Sequence, residues 1–211
     1  MGKIILIPSV SSRSTSWRLV RRCRALVDRS GGKIALSGAF SSGKTTLFRR
    51  LLDRFPQLCP FPEFATAAKA AYPSLNWWSS DVRGYLRWAQ IIAERQHELT
   101  RSVALFDGSF ADLVAHERAL GKELSPIPAE AMPMPYELTL LCDPVGVPIE
   151  LNGIRETDER LRFELQTLVV EEVRQRSLRV AELSGALENR FDRAVQEVEA
   201  VLARHAKISE L

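Results

Sequence analysis

Short apolar runs alternate along the chain with longer segments whose apolar residues recur at helical spacing. Four runs cover residues 33–37, 103–106, 137–142 and 179–183, and a fifth covers residues 3–8. The runs are continuous and do not alternate with polar residues, which is typical of parallel strands that helices cover on both faces. The pattern predicts an α/β fold, a doubly wound parallel sheet of about five strands.

Helices are predicted where apolar residues recur every three or four positions. They cover residues 14–30, 44–55, 63–72, 79–100, 110–120, 157–175 and 187–203. In the segment 79–100 we expect one apolar stripe to face the core. The stripe consists of Val82, Leu86, Ala89, Ile92 or Ala93, and Leu99. Prolines bound residues 56–62, which we predict to be a loop.

The composition is that of an ordinary globular protein, with 45% apolar and 26% charged residues among 211. That length suits one domain with a large core. No apolar run approaches the roughly eighteen residues that span a membrane, and the N-terminus has no secretory pattern. Cys23, Cys59 and Cys142 are odd in number and scattered, which is typical of reduced thiols. We therefore expect a cytoplasmic protein that does not enter the membrane.

Positive charge is concentrated near the start of the chain. Residues 1–30 contain seven Lys or Arg and one Asp, so they contribute +6 to a net charge of +3. This basic arm could contact nucleic acid or an acidic partner. It could instead be an amphipathic helix that packs Trp17, Val20 and Val27 against the edge of the sheet, and we favour packing. The chain is thus divided into a basic strand/helix extension, 1–32, and a main domain, 33–207.

The most specific motif is GAFSSGKT at residues 38–45, which matches G-x-x-x-x-G-K-[ST] between a predicted strand and a predicted helix. Glycines permit backbone conformations that turn main-chain N–H groups toward an anion. Lys44 supplies a positive charge for the outer phosphates of a nucleotide, and the Thr45 hydroxyl suits Mg²⁺. The predicted nucleotide-binding residues are Gly38, Ala39, Phe40, Ser41, Ser42, Gly43, Lys44, Thr45 and Thr46.

Missing motifs narrow the choice among nucleotide-binding proteins. The chain has no N-K-x-D sequence, which GTPases use to read the base, and no L-S-G-G-Q sequence of ABC-type ATPases. In VALFDGS, Asp107 is followed by Gly108 and not by the glutamate that activates water in hydrolysing motors. These features favour phosphoryl transfer to a small molecule. Two alternatives stay open: an ATPase or nucleotide-dependent switch acting on a protein or nucleic-acid partner, and a module that only binds nucleotide.

Several segments together resemble a known family. They read SGAFSSGKTTLFRRL, PFPEFA, VALFDGSFADLVAHER, YELTLLCDPVGVPIELNGIRETDERLRFEL, VAELSG and RFDRAV. In this order they are similar to the P-loop ATPase/kinase group that includes the bacterial ribosylnicotinamide kinase domain, the NadR-like AAA family. The resemblance extends over about residues 33–203, and its most specific part is the D-P…N-G-I-R-E loop.

The resemblance implies a nucleoside-kinase-like enzyme that uses ATP and Mg²⁺ and phosphorylates a nucleoside-type acceptor. Lys44 would bind phosphate, and Thr45 with Asp107 would organise the metal. Glu63 corresponds to an acidic position near the acceptor, and Asp107 is a second candidate for the base that takes the hydroxyl proton. Arg155 corresponds to the arginine of a late lid loop that neutralises the transferring phosphate. Gly108 stands where many nucleoside kinases have an arginine.

Some of these charged residues also have purely structural interpretations. Glu63 could cap the helix that follows it. Arg83 and Arg87 lie one helical turn apart and could hold a substrate phosphate, although plain surface charges are the favoured interpretation. Arg160 and Arg162 stand among acidic residues and could belong to a solvated salt-bridge helix.

Overall fold

The computed structural model describes residues 31–72, 74, 80–100, 102–121, 126–149 and 158–209. The predicted strand 3–8, the predicted helix 14–30 and Arg155 lie outside the described residues. The strands are β1 Lys33–Ser37, β2 Cys59–Phe61, β3 Ala104–Asp107, β4 Leu138–Cys142 and β5 Val180–Leu183. The helices are α1 Lys44–Arg54, α2 Phe64–Ala71, α3 Ser80–His97, α4 Phe110–Ala119, α5 Glu159–Arg176 and α6 Leu187–Ser209, with a 3-10 turn at Ala129–Ala131.

The five strands form one parallel sheet in the order β2-β3-β1-β4-β5. The central strand β1 places Leu36 beside Asp107 of β3 and beside Leu140 of β4. All the carboxyl ends of the strands therefore lie at one edge, where doubly wound sheets bind their ligands. The predicted α/β fold with a parallel five-stranded sheet is confirmed.

Helices cover both faces of the sheet, so alternate strand residues enter separate cores. Ile34 and Leu36 pack with α1 and α6 on one face. On the other face, Leu141 packs with α4 and α5, and Ala35 packs with Phe106. Because apolar contact is required on both faces, the strands need continuous apolar runs.

Strand β2 corrects the prediction of a loop over residues 56–62. It is only three residues long, has Pro60 at its centre and pairs with β3 at the edge of the sheet. An edge strand tolerates proline because the missing N–H can lie on the unpaired side. A three-residue strand with a central proline therefore has too little sequence pattern to be recognised.

The predicted inward stripe of α3 is partly wrong. Leu86 is buried as expected, and Val82, Ala89 and Ala93 are half-buried, but Ile92 (the alternative to Ala93) and Leu99 are exposed. The buried face of the helix instead carries charged and polar residues, including Arg83, Arg87, Gln90, Glu94 and His97. Partners on distant segments make this burial tolerable, because buried charges are stabilised when they are paired.

One buried polar network lies under the C-terminal half of α3. Lys33 Nζ donates to Glu94 Oε2 at 3.2 Å, to Glu98 Oε1 at 2.6 Å and to the carbonyl of Met134 at 2.6 Å. The Tyr136 hydroxyl donates to Glu94 and accepts from the Phe110 amide. Burial and the charge of Glu94 raise the pKa of Tyr136 well above its ordinary value, so this hydroxyl stays a donor. The network attaches α3 to the beginning of β1.

Within the described part of the chain, no helix combines the length and apolar character needed to cross a membrane. Cys59 and Cys142 both carry free thiols.

Candidate functional site

The loop between β1 and α1 lies at the carboxyl edge of the sheet. Gly38 has a φ of +147° and Gly43 a φ of +87°, which L side chains rarely adopt. A Cβ on Gly38 would also lie 2.5 Å from the carbonyl oxygen of Cys142. Ser41 adopts a φ of +52° although it is not a glycine. The loop is therefore held in an unusual backbone conformation at this edge.

Helix α1 begins at Lys44, and no side chain caps its N-terminus. The first helical hydrogen bond runs from the Leu47 amide to the Gly43 carbonyl at 3.1 Å. The N–H groups of Lys44, Thr45 and Thr46 precede it, and such groups have no partner within their own helix. An uncapped helix N-terminus with its positive dipole end is suited to binding an anion.

The Lys44 side chain lies back over the loop. Its ammonium donates to the carbonyls of Gly38 at 2.7 Å and Ala39 at 2.9 Å. Its charge also acts to lower the pKa of Asp112 and of Cys142. Burial nevertheless raises the pKa of the Cys142 thiol to about 12. Lys44 thus lies between the loop and the ends of the central strands.

Two side chains that we did not predict anchor the start of the loop. The Gly38 amide donates to Asp112 Oδ1 at 2.9 Å, and the Ala39 amide donates to Gln166 Oε1 at 2.8 Å. Asp112 Oδ1 also accepts from Ser37 Oγ at 2.7 Å, and Asp112 Oδ2 accepts from the Ser109 amide at 2.7 Å. Burial raises the pKa of Asp112, and these donors oppose the rise. The spacing of Ser109 and Asp112 matches a capping box, a signal that could have identified Asp112.

Replacing Asp112 with Asn tests this anchor. The new side-chain NH₂ group would take the place of Oδ2, so that two donors, this group and the Ser109 N–H, would face each other. We therefore expect a loss of about 1–3 kcal/mol in the free energy of unfolding. For a chain of this size, that loss lowers Tm by about 2–12 °C. Urea or thermal unfolding measures the change, with Asp53→Asn on the exposed face of α1 as the control. An unchanged Tm would show that Asp112 does not anchor the loop.

Two buried arginines, Arg162 and Arg190, donate hydrogen bonds to backbone carbonyls at the other end of the loop. Arg162 Nη2 donates to the carbonyls of Ser41 at 3.2 Å and Val147 at 2.8 Å, and also to that of Pro144. Arg190 Nη1 donates to the carbonyl of Ser42 at 3.1 Å. Its other nitrogens reach the carbonyls of Gly185 and Val145. Each arginine is only 2% exposed, and within the described residues these hydrogen bonds go to carbonyls and not to carboxylates.

These contacts orient the peptide groups of the loop. In a trans peptide the C=O of one residue and the N–H of the next point in opposite directions. Fixing the carbonyls of Ser41 and Ser42 toward the arginines therefore turns the N–H groups of Ser42 and Gly43 away from them. The prediction that Arg162 belongs to a solvated helix is wrong, whereas Arg160 is exposed as that interpretation requires.

The two guanidiniums also concentrate positive charge behind the loop. Burial lowers the pKa of Arg162, and the charge of Arg190 lowers it further, while Glu159 and Asp143 oppose the change. A bound polyphosphate would offset this repulsion between like charges. The loop therefore combines oriented N–H groups, the end of a helix dipole and three cationic side chains.

A second group of charged residues lies beside the loop, at the ends of β2 and β3. Asp107, the last residue of β3, is 6% exposed. A Cβ on Gly108 would lie 3.8 Å from Asp112 Oδ2 and 3.9 Å from Glu63 Cγ. Glu63 therefore lies beside the end of β3, where Asp107 is the last residue. Glu63 is the N-cap residue of α2, as the capping interpretation requires, but its side chain accepts no hydrogen bond from the first amides of that helix.

Helix α3 adds buried arginines to this second group. Arg87 Nε lies 3.0 Å from Glu117 Oε1. Burial lowers the pKa of Arg83, and the charges of Glu117 and Glu63 oppose this. Arg83 and Arg87 are both buried, so the favoured interpretation of these two as surface charges is wrong. Gly108 has a φ of +97°, a conformation that disfavours the arginine found there in many nucleoside kinases.

The residues present fit Mg²⁺ by the chemistry of their donor atoms. Thr45 offers a hydroxyl in the first turn of α1, and Asp107 offers a carboxylate at the end of β3. Among the described residues no cluster of three or more His, Cys, Asp or Glu side chains could hold a metal alone. Mg²⁺ usually binds through one or two protein oxygens, waters and substrate phosphates, so two donor residues would be sufficient for it.

Comparison with known proteins gives one family match. A family model described as an AAA domain matches residues 33–190, which is well over half of the chain. No curated protein sequence matches the chain.

Solved structures share the fold at low sequence identity. NadR in complex with NR has a TM-score of 0.61 at 16% identity, covering 91% of this chain and 60% of NadR. Deoxyadenosine kinase from M. mycoides, with dCMP and dCDP, has a TM-score of 0.52 at 11% identity, covering 80% and 99%. Shikimate kinase from Acinetobacter baumannii, with shikimate, has a TM-score of 0.50 at 12% identity, covering 86% and 97%.

The chain spans only about three fifths of the NadR chains that it matches, 58% in the complex with NAD and AMP-PNP. The three similar proteins share the fold, and the family match runs from β1 to the first turn of α6. With its glycine-rich loop at the carboxyl edge of a parallel sheet, the chain belongs to the AAA domain family of P-loop proteins.

Proposed function

We propose that the chain is an ATP-dependent kinase that transfers the γ-phosphate of ATP to a hydroxyl of a nucleoside-like small molecule, of the ribosylnicotinamide type. The observation that carries the proposal is the uncapped N-terminus of α1 beside the acidic pair Glu63 and Asp107. One side of the site is suited to polyphosphate, and the other offers carboxylates to a hydroxyl group. NadR, which shares this fold, binds NR as well as NAD and AMP-PNP.

In this proposal the loop and Lys44 hold the β- and γ-phosphates. The N–H groups of residues 42–46 point at the phosphate oxygens, and the Lys44 ammonium leaves the carbonyls of Gly38 and Ala39 for the γ-phosphate. The Thr45 hydroxyl and the Asp107 carboxylate would hold Mg²⁺, which would neutralise phosphate charge. Arg155, which lies outside the described residues, closes over the transferring group. Catalysis of this kind relies on positioning and electrostatic stabilisation.

The acceptor hydroxyl lies at the ends of β2 and β3, where Glu63 or Asp107 accepts its proton as the phosphorus–oxygen bond forms. The bond from the γ-phosphorus to the β–γ bridging oxygen breaks, and ADP leaves. Because Gly108 supplies no side chain, the positive charges of Arg83 and Arg87 replace the missing arginine near the acceptor. These buried cations favour an acceptor with hydroxyl and other electron-rich oxygen groups.

An acceptor screen tests the proposal. Purified protein receives ATP and Mg²⁺ with ribosylnicotinamide, nucleosides or nucleoside monophosphates, and both ADP and the phosphorylated product are measured by mass spectrometry. We expect one acceptor to yield product and ADP in equal amounts. ADP formation that needs no acceptor and rises with nucleic acid or a protein partner would contradict the kinase proposal and favour an ATPase or switch.

Glu63→Gln separates the role of this carboxylate from that of Asp107. If Glu63 accepts the proton, kcat should fall by about 10²–10⁴-fold with little change in the dissociation constant for ATP. Glu164→Gln, an exposed change on α5, serves as the control. An unchanged kcat in Glu63→Gln would assign the proton to Asp107.

A further inference from the structure

Arg190, in the first turn of α6, contacts three loops that are far apart in the sequence. Its Nη1 donates to the Ser42 carbonyl at 3.1 Å and its Nε to the Gly185 carbonyl at 2.7 Å. Its Nη2 donates to the Val145 carbonyl at 3.2 Å. Each nitrogen therefore binds a different segment: the glycine-rich loop, the loop after β5 or the loop after β4. Because Arg190 is only 2% exposed, water cannot readily replace these donors.

The first turn of α6 is held against α1, the helix that follows the glycine-rich loop. Arg50 of α1 makes two hydrogen bonds of 2.8 Å with the Glu188 carboxylate. Its guanidinium also lies 4.0 Å from the centroid of the Phe191 ring. The Arg190 amide donates to the Ala186 carbonyl at 3.1 Å, which continues the helix. These contacts fix the backbone of Arg190 close to the loop that its side chain holds.

The loops after β4 and β5 each lead to an exposed apolar side chain. Val145 is 58% exposed, and Leu187, at the start of α6, is 40% exposed. Val145 belongs to a turn that is closed by a 3.1 Å hydrogen bond from the Val147 amide to the Pro144 carbonyl. Apolar side chains of this kind suit the planar face of a nucleotide base. Arg190 thus joins segments suited to a base with the loop suited to phosphates.

We infer that Arg190 is a positioning residue that holds the glycine-rich loop in a fixed place relative to the loops after β4 and β5. The inference rests on the proposed binding of ATP. Because the Ser42 carbonyl is directed at Arg190, the Gly43 N–H points away from it, toward a bound anion. The same rigid guanidinium holds the carbonyls of Gly185 and Val145, so a shift of one loop is transmitted to the other two. Arg190 acts on the nucleotide only through this backbone.

Calorimetric titrations of the full chain with ATP and with inorganic tripolyphosphate separate the base from the phosphates. Tripolyphosphate has the phosphate groups but no nucleoside, so the ratio of its dissociation constant to that of ATP measures what the nucleoside contributes. Arg190→Lys keeps the charge, but one ammonium cannot replace three nitrogens fixed in a plane. We expect this variant to weaken ATP binding by at least about 100-fold and tripolyphosphate binding by about tenfold. The ratio should therefore fall by at least about tenfold.

Arg193→Lys, three residues further along α6 and with a side chain that is 55% exposed, is the control and should leave the ratio unchanged. Equal losses for the two ligands in Arg190→Lys would overturn the inference, because Arg190 would then support only the glycine-rich loop. An unchanged chain that binds ATP no more tightly than tripolyphosphate would also overturn it, while phosphate binding would stand. An unchanged chain that binds neither ligand would contradict the proposed function, and the inference with it.

Hydrogen exchange tests the same coupling in the unchanged chain, and this test holds even if Arg190→Lys does not fold. Tripolyphosphate bound at the glycine-rich loop should slow exchange of the amides of residues 184–190 by at least about threefold, although no phosphate contacts them. In Arg190→Lys the anion should slow residues 42–46 but no longer residues 184–190. Protection confined to residues 42–46 in the unchanged chain would contradict transmission through Arg190.

Discussion

Lys44→Ala is expected to lower the rate of phosphoryl transfer by at least about 100-fold. The Lys44 ammonium is the one lysine charge in the loop, and it would stabilise the negative charge that is spread over the γ-phosphate oxygens in the transition state. The free energy of unfolding should change by no more than about 1–2 kcal/mol, because Lys44 contributes two hydrogen bonds to carbonyls at a partly exposed site. The effect should therefore appear in activity far more than in stability.

The measurement is the rate of ADP formation with the acceptor that the screen identifies, together with calorimetry for ATP binding. Lys207→Ala, an exposed lysine on α6, is the matched control. Full activity in Lys44→Ala would remove this residue from the mechanism. Loss of activity accompanied by unfolding would assign it a structural role instead.

Arg162→Ala is expected to weaken ATP binding by about 10–100-fold. The change removes the donor for the carbonyls of Ser41, Pro144 and Val147. Each buried carbonyl left without a donor lowers the free energy of unfolding by about 1–3 kcal/mol. The change also releases the peptide group that turns the Ser42 N–H toward phosphate. Part of the loss in stability should be offset because the repulsion between Arg162 and Arg190 disappears.

Calorimetry with an ATP analogue measures this effect, and Arg160→Ala, two residues away on the exposed side of α5, is the control. All three carbonyls are reached by the terminal nitrogen Nη2. Arg162→Lys restores the charge, but its ammonium lies on a shorter, flexible side chain that lacks the rigid guanidinium plane. It should therefore recover stability better than ATP affinity. If Arg162→Lys restored both equally, charge alone would explain the effect, and the orientation of the loop would not depend on this side chain.

The features that were predicted correctly depend on residues close together in the sequence. The GAFSSGKT motif is contiguous, and the apolar runs of β1, β3 and β4 report burial on both faces without knowledge of neighbours. The edge strand β5 is also predicted, although its Glu182 is exposed. The sequence predicts Asp107 at the carboxyl edge of the sheet because this residue directly follows the apolar run 103–106. Local pattern was therefore sufficient for four of the five strands and for the position of the glycine-rich loop after β1, but not for β2.

The residues that anchor the loop escaped prediction because their partners are far away in the chain. Gly38 and Asp112 are 74 residues apart, Ala39 and Gln166 127, and Ser42 and Arg190 148. In a single sequence, Arg162 and Arg190 look like any arginine near the start of a charged helix. Only the tertiary structure shows that their hydrogen bonds reach the loop.

The buried face of helix α3 is predicted wrongly for a related reason. Its apolar positions were assigned to the core because apolar residues usually face inward. Its buried side instead carries charges, such as Glu94, which Lys33 neutralises from 61 positions away in the chain. The periodicity predicted the helix correctly but could not predict which face is buried.

The central claim is that the loop from Gly38 to Thr45 holds the phosphates of ATP. A crystal structure of the chain with a non-hydrolysable ATP analogue and Mg²⁺ tests it most directly. We predict that the β- and γ-phosphates will lie against the N–H groups of residues 42–46, with the Lys44 ammonium moved from the carbonyls of Gly38 and Ala39 to the γ-phosphate. An analogue bound elsewhere at saturating concentration, with Lys44 still on those two carbonyls, would contradict the claim.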